Sequence, residues 1–197
     1  MTQHEFFTLV LKSLEACGIP YMVSGSVGAM LFGEPRLTND IDVVVEIDAA
    51  QADCLRRFFP GDAFYLPTGE FVREAIRRRG QFNIIHVESG SKADLIVRKD
   101  GEFARVEFSR RRAQEFADDF QAQAASPEDI ILSKLMAHRS GGSDKHLVDI
   151  LSILDISGAA LDDAYLQRWI AELGLEPVWR LILSRRPLPP DLSSAEN

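Results

Sequence analysis

The stretch that decides the fold is VSGSVGAMLFGEPRLTNDIDVVVE, residues 23–46. A short apolar run ends at Gly25 and Ser26, an apolar helical stretch and a turn follow, and the pair Asp40 and Asp42 then leads into three valines. Because strand side chains alternate between faces, the two carboxylates of this pair point to the same side of their strand. Two carboxylates at the start of a buried strand are costly unless a cation lies against them. The stretch therefore predicts a cation site beside a Gly-Ser turn.

Mg²⁺ is the natural cation for this pair, because it prefers carboxylate and phosphate oxygens. The Gly-Ser turn opens a helix, and backbone N–H groups at such a turn bind phosphate. Two metal ions held by carboxylates can activate an attacking oxygen and stabilise a leaving oxygen. Phosphoryl or nucleotidyl transfer is therefore the leading hypothesis. The alternative is that Asp40 is an ordinary turn residue and Asp42 an ordinary edge-strand residue.

A third carboxylate usually completes such a cluster, and Asp94 is the first candidate. It lies in KADLIV, residues 92–97, at the mouth of an apolar strand. From there it could bind the metal and accept the proton of the nucleophile. Glu107 is the competitor, but the alternating order of Phe103, Arg105 and Glu107 is more typical of a solvated strand face.

Polar residues elsewhere in the chain are candidates for nucleotide binding. Lys134 shares a helical face with apolar residues, so it could present its charge to a triphosphate or simply extend to solvent. Asp149 interrupts an apolar run and could orient Lys134 or Lys145, or make a structural contact between helices. Arg36 and Thr38 lie in the turn before the acids, where they could contact phosphate or brace the strand.

The hydrophobic periodicity predicts an α/β core followed by a helical part. The core is expected to span residues 1–124, the helical subdomain 125–184 and a Pro-rich, frayed tail 185–197. Ser126-Pro127 is a strong helix start that marks the change. Predicted helices include one built on Phe6 to Leu14 and others at 26–32, 49–59, 70–79, 126–141, 143–154, 162–173 and 176–183. Predicted strands are 21–23, 41–47, 82–87, 93–97 and 103–108.

The bulk properties narrow the class of protein. The chain has 197 residues, 46% of them hydrophobic, and a formal net charge of −8. An acidic chain of this kind is not a general nucleic-acid binder, so contact with RNA would need local basic patches. The arginine runs 77–79 and 110–112 could form such patches, and the alternative is that they are ordinary solvated surface. Cys17 and Cys54 have no metal-ligand spacing, and we expect both to be reduced and structural in a cytoplasmic protein. No run of residues is long and apolar enough to predict a membrane span.

The order of a GS turn, a helix and RxTxDIDVVV resembles the nucleotidyltransferase superfamily with the DNA polymerase beta-like core. Within it, GSVGAMLFGEPRLTNDIDVVV is similar to a branch of small bacterial nucleotidyltransferase-like proteins. The later block SPEDIILSKLMAHRSGGSDKHLVDILSIL also resembles the helical tail of that branch, which is related to the AbiEii-type toxins of abortive-infection systems. The resemblance covers about residues 20–175.

The resemblance implies a fold and a set of roles. The fold is a short mixed sheet flanked by helices, with a C-terminal helical subdomain closing over the nucleotide. Gly25 and Ser26 would contact the triphosphate, Asp40 and Asp42 would bind Mg²⁺, and Asp94 would be the third acid. The matching polar positions of the helical block are Lys134 and Asp149. The chain departs from the toxins just before Asp149, where they often carry a Lys or an Arg-Asp pair; here residues 143–146 read SDKH, and Lys145 would substitute for that cation.

The resulting hypothesis is a Mg²⁺-dependent transfer of NMP from an NTP to an acceptor hydroxyl. The acceptor could be tRNA, as in a toxin-like enzyme, or a protein side chain or a small molecule such as an antibiotic. A toxin-like enzyme would have a cognate antitoxin or another protein as its partner. The competing hypotheses are a non-catalytic nucleotide-binding or partner-binding module and an antitoxin-like protein that nucleotidylates a toxin. The base preference and the oligomeric state do not follow from the sequence.

Overall fold

The computed structural model describes residues 1–117 and 119–185, which form a mixed sheet flanked by helices. The helices are α1 (Gln3–Ala16), α2 (Gly25–Met30), α3 (Ala49–Arg56), α4 (Gly69–Arg77), α5 (Glu102–Ser109), α6 (Pro127–Gly141), α7 (Asp144–Ser157), α8 (Asp163–Glu172) and α9 (Glu176–Arg185), with a 3-10 turn at Gly158–Ala160. The strands are β1 (Tyr21–Ser24), β2 (Asp40–Val45), β3 (Phe64–Tyr65), β4 (Gln81–His86), β5 (Lys92–Val97), β6 (Arg112–Ala117) and β7 (Phe120–Ala124). The α/β fold class predicted from the sequence is thus confirmed.

The described strands form one sheet in the order β3-β4-β5-β2-β1-β7-β6. Strand β2 lies between antiparallel β1 and parallel β5, and β5 is also paired antiparallel to β4. Because β2 and β5 are parallel and in register, residues near the start of both strands meet at the same end of the sheet.

The two faces of the sheet pack into two hydrophobic clusters. Val23, Ile41 and Leu95 point to the face that α1, α3 and α4 cover. Met22 points to the opposite face, where it packs with side chains of the C-terminal helices. The carboxylates predicted to form the site share this second face, because their strand positions alternate with those of the first cluster. The division of the chain at residue 125 stays a prediction.

The C-terminal helices begin within one residue of the predicted starts, whereas α7 extends to Ser157 and α9 to Arg185, beyond the predicted ends at 154 and 183. The Ser126 side chain accepts a hydrogen bond from the Asp129 N–H, and Pro127 occupies the first turn of α6. Gly142 ends α6 in the left-handed conformation. The predicted tail 185–197 lies outside the described residues, apart from Arg185 at the end of α9.

The expected strand at 103–108 is wrong, because these residues belong to helix α5. Phe103 and Glu107 are both buried and four residues apart, which is the spacing of one face of a helix. Over so short a segment the same two positions also fit the two-residue period of a strand, so the pattern could not distinguish the two. Strands β6 and β7 were not predicted. Their alanines and glutamines have low β-propensity, so the alternation of buried and exposed positions in β7 carries little local signal.

The expectation that the cysteines are reduced is also wrong. Cys17, which caps the end of α1, and Cys54, in α3, form a disulfide with Cα atoms 5.9 Å apart. The two residues are 37 positions apart, so only the packing of α3 beside the end of α1 brings them together. Among the described helices, none has the length and apolar character of a membrane span.

Candidate active site

Four polar residues form a row across four neighbouring strands. Asp42 in β2 is in register with Ser24 in β1 on one side and with Asp94 in β5 on the other. The row continues to Asn83 in β4, which is in register with Asp94. Paired residues in register share a face of the sheet, so the predicted carboxylates of β2 and β5 do meet. Asp40, two residues before Asp42, lies on the same face and nearer to solvent.

The Gly-Ser turn packs directly against Asp42. Gly25 has a φ of +60°, and a Cβ atom placed on it would lie 1.9 Å from Asp42 Oδ2. A side chain here would therefore clash with the carboxylate and strain the backbone at the same time. This contact explains why glycine stands at position 25, and it places the turn at the end of β2 that carries the acids.

Lys92 lies among the carboxylates. Its Nζ is 2.6 Å from Asp94 Oδ2 and 3.6 Å from Asp40 Oδ2. The hydrogen bond to Asp94 raises the pKa of Lys92. Burial, followed by the negative charges of Asp40 and Asp94, raises the pKa of Asp42. The cluster thus carries an excess of negative charge that favours a cation. Lys92 was not among the predicted residues, although its position two residues before Asp94 on one strand face could have indicated it.

A second network joins the core to the C-terminal helices through Asp149. Arg36 Nε donates to Asp149 Oδ1 at 2.7 Å, and Lys134 Nζ donates to Asp149 Oδ2 at 2.5 Å. Burial alone would raise the pKa of Asp149, but hydrogen bonds from these two cations outweigh it and lower that pKa. Arg36 Nη2 also donates to Ser26 Oγ at 2.5 Å. The network therefore connects the predicted phosphate turn with the helical part of the chain.

The alternatives left open by the sequence can now be compared with the contacts. Lys134 does not extend to solvent, because its side chain is only 6% exposed and paired with Asp149. Thr38 Oγ1 donates to the main-chain and side-chain oxygens of Asp40, so Thr38 braces the strand. Lys145 is exposed at the start of α7 and lies outside the Asp149 network described above. Glu107 is buried on α5, where Ser133 Oγ donates to it, and it is not part of the carboxylate row.

The chain resembles solved structures of nucleotidyltransferases over most of its length. An antigenic nucleotidyltransferase-like protein from Paracoccidioides brasiliensis matches with a TM-score of 0.55 at 18% identity, covering 93% of each chain. The antibiotic-resistance factor ANT(2'')-Ia matches with a TM-score of 0.57 at 12% identity, covering 91% of this chain and 97% of that one. A putative nucleotidyltransferase from H. pylori matches with a TM-score of 0.53 at 14% identity, covering 99% and 86%.

The chain has a nucleotidyltransferase fold. No protein-family model matches the sequence, and no curated protein is significantly similar to it. The identities to the solved structures are low, so the likeness concerns the fold, and the chemistry has to be argued from the side chains.

The side chains fit a divalent metal by their chemistry. In residues 1–117 and 119–185, no group of three His, Cys, Asp or Glu residues is arranged around a metal position. The positive charge beside Asp40 and Asp94 comes instead from the ammonium group of Lys92. The carboxylates around it offer hard oxygen ligands, which suit Mg²⁺.

Residues of the two arginine runs make contacts away from Asp40, Asp42 and Asp94. Arg79 contacts the Arg98 carbonyl and Asp100, just beyond the end of β5, whereas Asp94 lies near its start. Arg110 pairs with the buried carboxylates of Glu128 and Asp129. Arg79 and Arg110 are therefore engaged in structural ion pairs, and neither contacts the carboxylates of the site.

Proposed function

We propose that the protein is a Mg²⁺-dependent nucleotidyltransferase that moves an NMP group from an NTP to an acceptor hydroxyl. The observation that carries this proposal is the placement of Asp42 beside Asp94 on parallel strands, with Asp40 on the same face and Gly25 against Asp42. The nucleotidyltransferase fold supports it independently, because the same fold is found in ANT(2'')-Ia and in the lincosamide antibiotic adenylyltransferase LnuA.

The carboxylates would divide two tasks between them. Asp40, Asp42 and Asp94 would hold Mg²⁺, with a two-metal site as the expected arrangement. The bound metal would neutralise charge on the α-phosphate and on the departing pyrophosphate. Asp94 would also take the proton of the acceptor hydroxyl, whose oxygen then bonds to the α-phosphorus while the bond to the pyrophosphate oxygen breaks.

The Asp149 network would serve the triphosphate. Arg36 and Lys134 bring two positive charges to one carboxylate, so the group keeps a surplus positive charge next to Ser26. This positive charge would favour binding of the β- and γ-phosphates next to Gly25 and Ser26. Lys145 stays a prediction as a further phosphate contact.

The acceptor is the part of the reaction on which the earlier alternatives differ. A tRNA acceptor would need cations along its path to the site. Arg79 and Arg110 do not provide them, because they are paired with Asp100 and with Glu128 and Asp129. We therefore favour a small hydroxylated molecule as the acceptor. Transfer of the label to tRNA, as expected of a toxin-like enzyme, would contradict this choice.

The test is a transfer assay with each α-³²P-labelled NTP in turn, Mg²⁺, and either total tRNA or a low-molecular-weight cell extract as acceptor. We expect label to move to a small molecule with wild-type protein and to be lost in Asp42→Asn and Asp94→Asn. Asp163→Asn is the matched control, because this aspartate is exposed on α8. Binding of the NTP without transfer to either acceptor pool, or transfer unaffected in both site variants, would contradict the proposed reaction.

A further inference from the structure

A groove of about 290 Å³ opens beside Asp94 at the edge of the sheet. It is bordered by β4, by the end of β3 and by the segment that leads into α4. Strand β3 pairs only with residues 85 and 86 of β4, so the part of β4 that contains Gln81 and Asn83 borders the groove without a strand beside it in the described chain. This places the groove next to the carboxylate proposed to take the acceptor proton.

Two aromatic side chains line this groove although they are largely exposed. Tyr65 is 53% exposed and Phe71 is 55% exposed. The Tyr65 position is in register with Ile85 of β4, so its ring lies on the sheet face that also carries Asn83 and Asp94. Covering exposed aromatic rings with a flat or apolar ligand removes apolar surface from water and so stabilises the complex. The groove therefore offers an apolar wall to a ligand with a planar ring.

The remaining contacts offer hydrogen bonds near the acid. Gln81 and Asn83 lie two residues apart on β4, so their carboxamides share one face. Each carboxamide both donates and accepts hydrogen bonds, which suits hydroxyl groups on a ligand. Because Asn83 is in register with Asp94, a hydroxyl bound between them would lie at the proposed proton acceptor.

The charge of the groove excludes a polyanion. Among its lining residues, Asp94 alone is charged. The cation beside Asp94 is Lys92, whose Nζ lies 2.6 Å from Asp94 Oδ2 and 3.6 Å from Asp40 Oδ2, so the carboxylates next to the groove keep a net negative charge. This charge disfavours a phosphate backbone, whereas a neutral or cationic molecule is accepted.

We propose that this groove binds the acceptor substrate, a small neutral or cationic molecule that carries a planar ring and a hydroxyl group. The inference rests on the proposed function, because it assigns the groove to the acceptor of that reaction. A volume of 290 Å³ lies near the lower end of about 300–1,000 Å³ found for ligand sites, so the groove encloses one ring system rather than an oligomer.

The test uses tryptophol, a neutral planar alcohol, titrated into ¹⁵N-labelled protein and followed by NMR. Indole-3-acetate is the anionic comparison and cyclohexylethanol the non-planar one. We expect tryptophol to shift the side-chain amide signals of Gln81 and Asn83 and to bind about fivefold or more tightly than indole-3-acetate, because the net negative charge of the carboxylate cluster repels a second carboxylate. Cyclohexylethanol should bind more weakly than tryptophol.

A double variant, Tyr65→Ala with Phe71→Ala, should weaken tryptophol binding by about 10-fold or more, since two stacking surfaces are lost. Phe58→Ala is the matched control, because this exposed phenylalanine does not line the groove. Absence of tryptophol binding, shifts that map elsewhere, equal affinity for the three probes or an unaffected double variant would overturn the inference. Mg²⁺–ATP binding, measured on the same samples and on Asp42→Asn, shows separately whether the proposed function holds.

Discussion

Replacement of Gly25 by alanine should disturb the carboxylate site more than the fold. Alanine in the left-handed conformation costs about 1–2 kcal/mol. The new Cβ would also lie 1.9 Å from Asp42 Oδ2 and 2.8 Å from Asp42 Cβ, so the aspartate side chain has to leave its position. Moving it off its preferred rotamer adds about 0.5–1.5 kcal/mol, which gives a total loss of about 1.5–3.5 kcal/mol.

Gly18→Ala separates the two contributions. Gly18 has a φ of +62°, close to that of Gly25, but a Cβ there would meet no atom within 4 Å. This variant should therefore lose only the backbone part, about 1–2 kcal/mol. Urea unfolding measures both losses, and calorimetric titration with Mg²⁺–ATP measures the site.

The functional effect should differ more sharply than the stability. A displacement of about 1 Å at a reacting group can cost ~100-fold in rate, so nucleotidyl transfer should fall by about that factor in Gly25→Ala and stay unchanged in Gly18→Ala. Equal losses of stability in the two variants, together with equal affinity for Mg²⁺–ATP, would refute the steric argument.

Three further perturbations test the charges and the cross-link. Lys134→Met should lower the free energy of unfolding by about 3 kcal/mol. This is near the low end for breaking a buried ion pair, because Arg36 still contacts Asp149. A free energy of unfolding in urea that stays within error of wild type would contradict the network. Burial and then the charge of a nearby aspartate raise the pKa of Glu107 to about 8, so this residue makes the protein most stable below its unfolded pKa of 4.5 and progressively less stable as pH rises toward 8. Glu107→Gln should remove that part of the pH dependence, a gain of a few kcal/mol at pH 8, and parallel stability curves for wild type and variant would exclude it. Reduction of Cys17–Cys54 should cost about 3–4 kcal/mol for a loop of 37 residues, so thermal melting that is unchanged by dithiothreitol would show that the bond does not stabilise the fold.

Local patterns in the sequence were sufficient for the central unit of the fold. The alternation around Asp40 and Asp42 predicted their shared face, and the Ser126-Pro127 start predicted α6. Such signals depend on residues a few positions apart, because strand alternation and helix caps are local properties of the backbone. The same alternation misled at Glu107, where the segment was too short to distinguish a strand from a helix.

The contacts that complete the site depend on residues far apart in the chain. Arg36 and Asp149 are separated by 113 positions, and no local pattern pairs them. The position of Lys92 between Asp40 and Asp94 follows from the register of two parallel strands, and so does the meeting of Asp94 with Asp42.

The sequence by itself thus determined the α/β fold class, the carboxylate-bearing strand and the Gly-Ser turn, because local backbone geometry encodes each of them. The tertiary structure alone decided that Lys92 lies between Asp40 and Asp94, that Asp149 holds two cations, and that the exposed rings of Tyr65 and Phe71 border a groove beside Asp94. The physical reason is that strand register and helix packing bring together groups whose separation along the chain carries no signal.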